Sequence, residues 1–244
     1  MNTRQYVPNT ITAMNLVSGM ISVTETMNGN FVKASLFIFI AAVFDFFDGS
    51  AARWLNVRSE MGKQLDSLAD VVSFGVAPGL IMYSLLRVNC EGGCNLLEKL
   101  HIIPYFAMLI PVCAAIRLAK FNIDTRQEVN FIGLPTPANA IFFASIPLIL
   151  FLPSNALVSL KFMPDLMGST RVLGILTVFF SYLMVSDFRI FSMKMKSISW
   201  KENQERYILL ILSVLLIILF SFQAIPLIIG SYLLLSLIFQ KKMA

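Results

Sequence analysis

From Tyr207 to Gln240 the chain carries no charged residue, and the run YILLILSVLLIILFSFQAIPLIIGSYLLLSLIFQ is almost wholly apolar. A helix that crosses a hydrocarbon layer of about 30 Å uses about 20 residues. One continuous helix over this run would overshoot the bilayer, and Gln223, Ala224 and Pro226 give the only plausible turn inside it. The run therefore predicts two spanning helices, 206–222 and 224–240. The same reading upstream places spans at 9–27, 33–54, 60–88, 100–121, 136–152 and 171–186, with 60–88 long enough to be interrupted near Pro78. The expected fold class is all-α: a polytopic membrane helix bundle of about eight transmembrane helices. With 57% hydrophobic and 14% charged residues in 244, no room is left for a separate soluble domain. The opening MNTRQYVPNT has no apolar core or cleavage site of a signal peptide, so the N-terminus is read as mature.

The net charge of +5 does not point to nucleic acid, because the nineteen Lys and Arg are dispersed among apolar segments and form no basic element. They are asymmetric along the chain instead. With both termini on the cytoplasmic side, Arg53, Arg58, Lys63, Arg117, Lys120, Arg126, Arg189, Lys194, Lys196, Lys201 and Arg206 all fall in cytoplasmic loops or helix ends. Only Lys33, Arg87, Lys99, Lys161 and Arg171 fall outside, which matches the positive-inside rule. Cys90 and Cys94, in CEGGC, lie in a predicted outer loop where a disulfide is one possibility and two free thiols the other. Cys113 is mid-span packing, and the single histidine, His101, is an interface residue remote from any acidic group. Chemistry in this chain has to proceed without histidine.

The chemistry is concentrated in FDFFDGSAARWLNVRSEMGKQLDSLADVVSFGVAPG, residues 44–79. Asp45, Asp48 and Ala52 share one helix face, with Gly49 and Arg53 beside them, and Gly62, Asp66 and Asp70 recur every four residues on the next helix. The short link between the two helices makes them antiparallel neighbours, so their aspartate faces can meet near the cytoplasmic ends. Four carboxylates that close cannot all ionise near lipid without cations among them. Two divalent ions would balance the charge, and oxygen ligands select Mg²⁺, Mn²⁺ or Ca²⁺ over zinc. Paired metals of this kind suit in-line attack at phosphorus. Gly49, Ala52 and Gly62 clear space for a bulky phosphorylated group beside the carboxylates, although each alone also suits close helix packing. A cation transporter is the alternative of a different class, but it would spread acidic residues over several helices rather than confine them to residues 45–70.

The pattern Asp-x-x-Asp-Gly-x-x-Ala-Arg, eight residues, then Gly-x-x-x-Asp-x-x-x-Asp resembles the signature of the CDP-alcohol phosphotransferase family at every fixed position: Asp45, Asp48, Gly49, Ala52, Arg53, Gly62, Asp66 and Asp70. PNTIT at Pro8–Thr12 resembles the family's element on the first helix. The resemblance implies a six-helix catalytic core over 1–190, followed by two additional helices at 206–240. It implies that Asp45, Asp48 and Asp66 are metal ligands and that Asp70 is both a ligand and the general base. Asn9, Thr12, Gly49, Ala52, Arg53 and Gly62 are expected on the nucleotide and diphosphate side, with Arg53 also readable as a topology anchor.

The acceptor is not encoded in that signature. FGVAPG (74–79), RLAKFN (117–122), FIGLPTPANA (131–140) and LMVSDFRIFSMK (183–194) are similar to the phosphatidylserine synthase branch, with Lys120 standing where Arg is the more usual residue. This resemblance implies transfer of a phosphatidyl group from CDP-diacylglycerol to L-serine, giving phosphatidylserine and CMP. A sister activity on glycerol 3-phosphate, inositol or another alcohol is the alternative. Serine needs a fixed cation for its carboxylate, which Arg117, Lys120 and Asn122 could provide, and acceptors for its ammonium, such as Asp124 or backbone carbonyls. The expected cofactors are two Mg²⁺ or Mn²⁺ ions, and the expected partners are membrane lipid and a second copy in a homodimer. The expected site is the bacterial cytoplasmic membrane, with the active site facing the cytoplasm.

Overall fold

Helix α1 (Tyr6–Met27) is inverted relative to a water-soluble helix. Its buried face includes Thr12, Asn15, Gly19, Ser22 and Thr26, whereas Met14, Val17 and Met20 are exposed. Alternating steps of three and four residues place the small and polar set on one face. In lipid the apolar face needs no protein partner, while small residues let helices approach closely. That face receives α2 (Phe31–Trp54), and Ser22 Oγ donates to the Ala34 carbonyl at 2.8 Å. The computed structural model describes residues 6–57, 59–90, 102–123, 131–153, 156–191, 200 and 203–239.

Ser59 caps α3 (Glu60–Asp70), its Oγ accepting from the Gly62 N–H at 3.0 Å. The helix continues through a π-helical segment, Val71–Val76, into α4 (Ala77–Cys90). The irregularity therefore precedes Pro78 instead of falling on it. A Cβ on Gly19 would lie 2.8 Å from Ser73 Cα, and Ser73 Oγ donates to the Asn15 carbonyl at 3.0 Å, so the π segment is the stretch pressed against α1. Pro78 follows at once, where the helical hydrogen-bond pattern is already shifted and a missing N–H costs little. On the other side of the rod, Gly75 and Gly79 admit Pro111 of α5 (Leu109–Ile123), which a 3₁₀ turn, Ile103–Met108, introduces.

Two short strands tie the loops behind α5 to those behind the later helices: β1 (Phe131–Ile132) pairs antiparallel with β2 (Arg189–Ile190). Between them run α6 (Thr136–Phe151), α7 (Phe162–Gly168) and α8 (Thr170–Val185). Helix α6 is buried nearly all round, and Phe142 stacks on Phe180 of α8 at 4.0 Å. Gly133 adopts φ +77°, and a Cβ there would overlap the Met184 carbonyl; its N–H donates to Phe188 O at 2.9 Å. Gly133→Ala is expected to destabilise the purified protein by about 2 kcal/mol or more through left-handed strain and this overlap. Thermal unfolding in detergent checks this, and an unchanged midpoint would refute it.

The C-terminal apolar run forms α9 (Gln204–Phe220) and α10 (Ala224–Ile238), which pack on each other. The break falls at Ser221, with φ 52°, and Gln223 Oε1 accepts from the Leu160 N–H at 2.9 Å. By length and composition, Glu60–Val88, Ile103–Ile123 and Gln204–Ile238 can cross a membrane among the described residues. The pair α7 and α8, bent by 74°, makes a fourth if counted as one span. The expected eight also counts α1, whose buried face is polar, α2, which carries Lys33, Asp45, Asp48 and Arg53, the 16-residue α6, and α9 and α10 separately. Ile211, Val214, Leu215 and Ile218 of α9 are all exposed, a surface that only lipid satisfies, and the chain is an integral membrane protein.

Candidate active site

Helices α1, α2 and α3 meet on a polar patch. Asp45, Asp48 and Asp66 each bring a carboxylate oxygen within 4.8 Å of the other two. The spacing puts Asp45 and Asp48 on one face of α2, and Asp66 and Asp70 on one face of α3, and the two faces meet. Asp70 lies a turn deeper than Asp66 and is within hydrogen-bonding reach of Asp45. Asn15 Nδ2 donates to Asp70 Oδ1 at 3.2 Å, and Thr12 Oγ1 donates to Asp48 Oδ2 at 2.7 Å. So α1 supplies hydrogen bonds to Asp48 and Asp70 within a mutually repelling set, whereas the buried Asp66 Oδ1 has no protein partner.

None of the four carboxylates is ion-paired to Lys or Arg among the described residues; Arg53 and Arg117 act on Asp48 and Asp70 only from longer range. A carboxylate cluster without a paired cation, with one oxygen unpartnered, fits a hard divalent ion. The cluster could bind a metal through Asp45, Asp48 and Asp66, with Asp70 adjoining.

An open cavity of about 600 Å³ begins at Asp48 and Asp66 and extends along Asn9, Thr12, Gly49, Ala52 and Gly62. Five of the six residues expected on the nucleotide side thus line one space. A Cβ on Gly62 would lie 3.0 Å from Asn9 Oδ1 and 3.0 Å from Ser59 Oγ, so glycine keeps the floor of that cavity open. Arg53 is exposed and donates to Ser50 Oγ at 3.0 Å, alongside Gly49 at the cavity's edge.

The three expected acceptor residues have different partners. Arg117 is buried, near enough to Asp70 for electrostatic interaction, with Nη1 3.5 Å from Thr136 Oγ1. Lys120 Nζ donates to the Val185 carbonyl at the end of α8, and Asn122 Nδ2 donates to Ser67 Oγ at 2.8 Å. Asp124, Cys94 and His101 lie outside the described residues, as does the side chain of Cys90. Asn15, Thr136 and Tyr232, whose hydroxyl donates to the Phe191 carbonyl at 2.8 Å, adjoin the site without having been singled out by sequence. A signal existed for Asn15, since it lies three residues after Thr12 on the polar stripe of α1.

Residues 5–183, from α1 to the end of α8, match the CDP-alcohol phosphatidyltransferase family. The chain belongs to that family. It is similar to CDP-diacylglycerol–serine O-phosphatidyltransferase of Bacillus subtilis, with 36% identity over 75% of this chain and 89% of the relative. The enzyme of the same name from Helicobacter pylori is 32% identical over 95% of this chain and 89% of its own length, a match that includes the C-terminal pair. The archaetidylserine synthase of Methanothermobacter thermautotrophicus is 32% identical over 57% of this chain and 56% of its own. This CDP-alcohol phosphatidyltransferase is thus an enzyme, a transferase of phospholipid biosynthesis, and the resemblance in its aspartate signature is borne out.

Proposed function

We propose that the chain transfers the phosphatidyl group of CDP-diacylglycerol to L-serine, forming phosphatidylserine and CMP. One observation carries the reading: the aspartate cluster opens through Asp48 and Asp66 onto a cavity sized for a nucleotide, and a buried guanidinium lies within electrostatic range of Asp70. The cavity lined by Asn9, Thr12, Gly49, Ala52 and Gly62 takes the CDP moiety, with Arg53 at its rim. Asp45, Asp48 and Asp66, joined by Asp70, would hold two divalent ions, Mg²⁺ or Mn²⁺, which when bound would supply neutralisation of the diphosphate and of the charge developing on the leaving group. Asp70, aligned by Asn15, takes the proton from the acceptor hydroxyl. The acceptor oxygen bonds to the β-phosphorus as the bond to the CMP oxygen breaks, and CMP departs with the electron pair. Arg117 is assigned to the serine carboxylate, with Lys120 and Asn122 shaping the helix ends around it rather than touching serine.

The core over 1–190 carries the chemistry, and the helices in 206–240 complete an eight-span bundle with both ends and the active site at the cytoplasmic face. The expected location is the bacterial cytoplasmic membrane, and the expected assembly is a homodimer. Purified protein given CDP-diacylglycerol, labelled serine and Mn²⁺ is expected to yield labelled lipid and CMP. Label from glycerol 3-phosphate but none from serine would move the assignment to a sister activity. A narrower test concerns the cavity floor. Gly62→Leu is expected to weaken CDP binding by about tenfold or more, because the side chain would occupy the space beside Asn9. Calorimetric titration with CDP checks this, and unaltered affinity would place the nucleotide elsewhere.

A further inference from the structure

A second polar set, built from α5 and α6, lies outside the cavity lining, with Arg117 in electrostatic range of Asp70. Arg117 is 7% exposed; its Nη1 meets Thr136, but its Nε has no partner. Thr136 and Asn139 are three residues apart on α6, hence neighbours on one face one turn apart. Asn139 is 0% exposed, and neither its Oδ1 nor its Nδ2 has a hydrogen-bond partner. Its sequence neighbours Ala140, Phe142 and Phe143 are buried and apolar. A bare amide in such surroundings costs about 1–3 kcal/mol for each unsatisfied group, and an apolar side chain of similar size would avoid that cost. Packing therefore gives no reason for asparagine here, whereas a ligand does.

The unpartnered atoms define what that ligand must offer. Arg117 Nε and Asn139 Nδ2 are donors and ask for an anion. Asn139 Oδ1 is an acceptor and asks for a donor, and Asp70 asks for a hydroxyl proton. An α-amino acid with a β-hydroxyl presents all three groups on adjacent carbons. Glycerol 3-phosphate has no cation, and inositol has neither charge.

We propose that Asn139 is a specificity-determining residue that selects an amino-acid acceptor, its Oδ1 accepting from the α-ammonium while its Nδ2 and Arg117 Nε donate to the α-carboxylate. This rests on the serine reading above. It adds the residue that would separate serine from alcohols without an amine, a role for which the aspartate signature has no member.

The test uses the full chain in lipid–detergent micelles with Mn²⁺ and CDP-diacylglycerol, comparing the unaltered protein with Asn139→Leu and, with no added bulk, Asn139→Ala. Two acceptors are assayed: L-serine and 3-hydroxypropanoate, which keeps the hydroxyl and carboxylate but lacks the ammonium. In both variants the KM for serine is expected to rise by about tenfold or more, with kcat at saturating serine and the KM for CDP-diacylglycerol within about twofold. Use of 3-hydroxypropanoate should fall several-fold less than use of serine, since it loses only the Nδ2 contact to its carboxylate whereas serine also loses the Oδ1 contact to its ammonium. A serine KM that moves less than about twofold, or a parallel loss with both acceptors, would overturn the proposal. So would loss of CDP binding in both variants, because the amide would then be holding the fold. If the unaltered protein makes no phosphatidylserine, the serine reading itself falls, an outcome distinct from a variant that leaves serine use unchanged.

Discussion

Asp70→Asn is expected to bind CDP as the unaltered protein does and to lose phosphatidyl transfer by about 10³-fold, within the range that a positioned general base contributes. The substitution keeps the shape of the side chain and leaves an oxygen to accept from Asn15 Nδ2, so the contact between α1 and α3 survives. The cavity lining does not include Asp70, which is why nucleotide affinity should hold. What is removed is the one carboxylate that faces both Asp45 and the Arg117 side of the interior. Paired measurements decide it: CDP titration with Mn²⁺, and release of labelled lipid from serine. A variant retaining more than about a tenth of the activity would transfer the base role to another group.

How much of this was legible in the sequence follows from which residues signal by type and which by position. Asp45, Asp48, Asp66 and Asp70 are costly near lipid, so their identity alone announces a site, and helical spacing predicts their convergence. The cavity residues were legible for a related reason, since Gly49, Ala52 and Gly62 sit at the same spacing as the acids they flank. Lys120 and Asn122 show the limit. They follow Arg117 by three and five residues, yet the end of α5 turns Lys120 to the Val185 carbonyl and Asn122 to Ser67. A basic residue at a helix end caps a neighbour's carbonyls as readily as it binds a substrate, and only the packing of α5 against α8 and α3 decides which. Asn139 fails in the other direction. An asparagine inside TPANAIFF carries no periodic signal, and its meaning comes only from finding both amide atoms buried and unpartnered.

The π segment belongs to the same class of hidden feature. Pro78 was the visible helix breaker, but the irregularity falls at Val71–Val76, where Ser73 packs closely on Gly19, a residue far away in the chain. Its consequence is functional geometry. It begins at the residue after Asp70, so the helix carrying two of the four aspartates is regular up to the site and deviates only beyond it.

Removing divalent metal is expected to abolish turnover and lower the melting temperature, and Asp66→Ala should nearly abolish that metal-dependent shift. Three carboxylates within 4.8 Å repel one another strongly in a medium of low dielectric, and no ion pair among the described residues offsets this. A cation that binds only the folded chain stabilises it by mass action, about 2.7 kcal/mol at a hundredfold excess over Kd. EDTA should therefore lower the midpoint of the unaltered protein, with Mg²⁺ or Mn²⁺ restoring both stability and activity. Asp66→Ala deletes one repelling charge, and with it the unpartnered buried Oδ1. In EDTA this variant should melt above the unaltered protein. It should gain little from Mn²⁺, because losing a direct ligand costs more than the 10–100-fold in metal affinity typical of an outer-shell change. Differential scanning of both proteins with and without Mn²⁺ gives four midpoints, and the crossing of their order is the signature. If Asp66→Ala melted below the unaltered protein in EDTA, the carboxylate would be holding the fold by a contact of its own, and the charge-repulsion account of the cluster would be wrong.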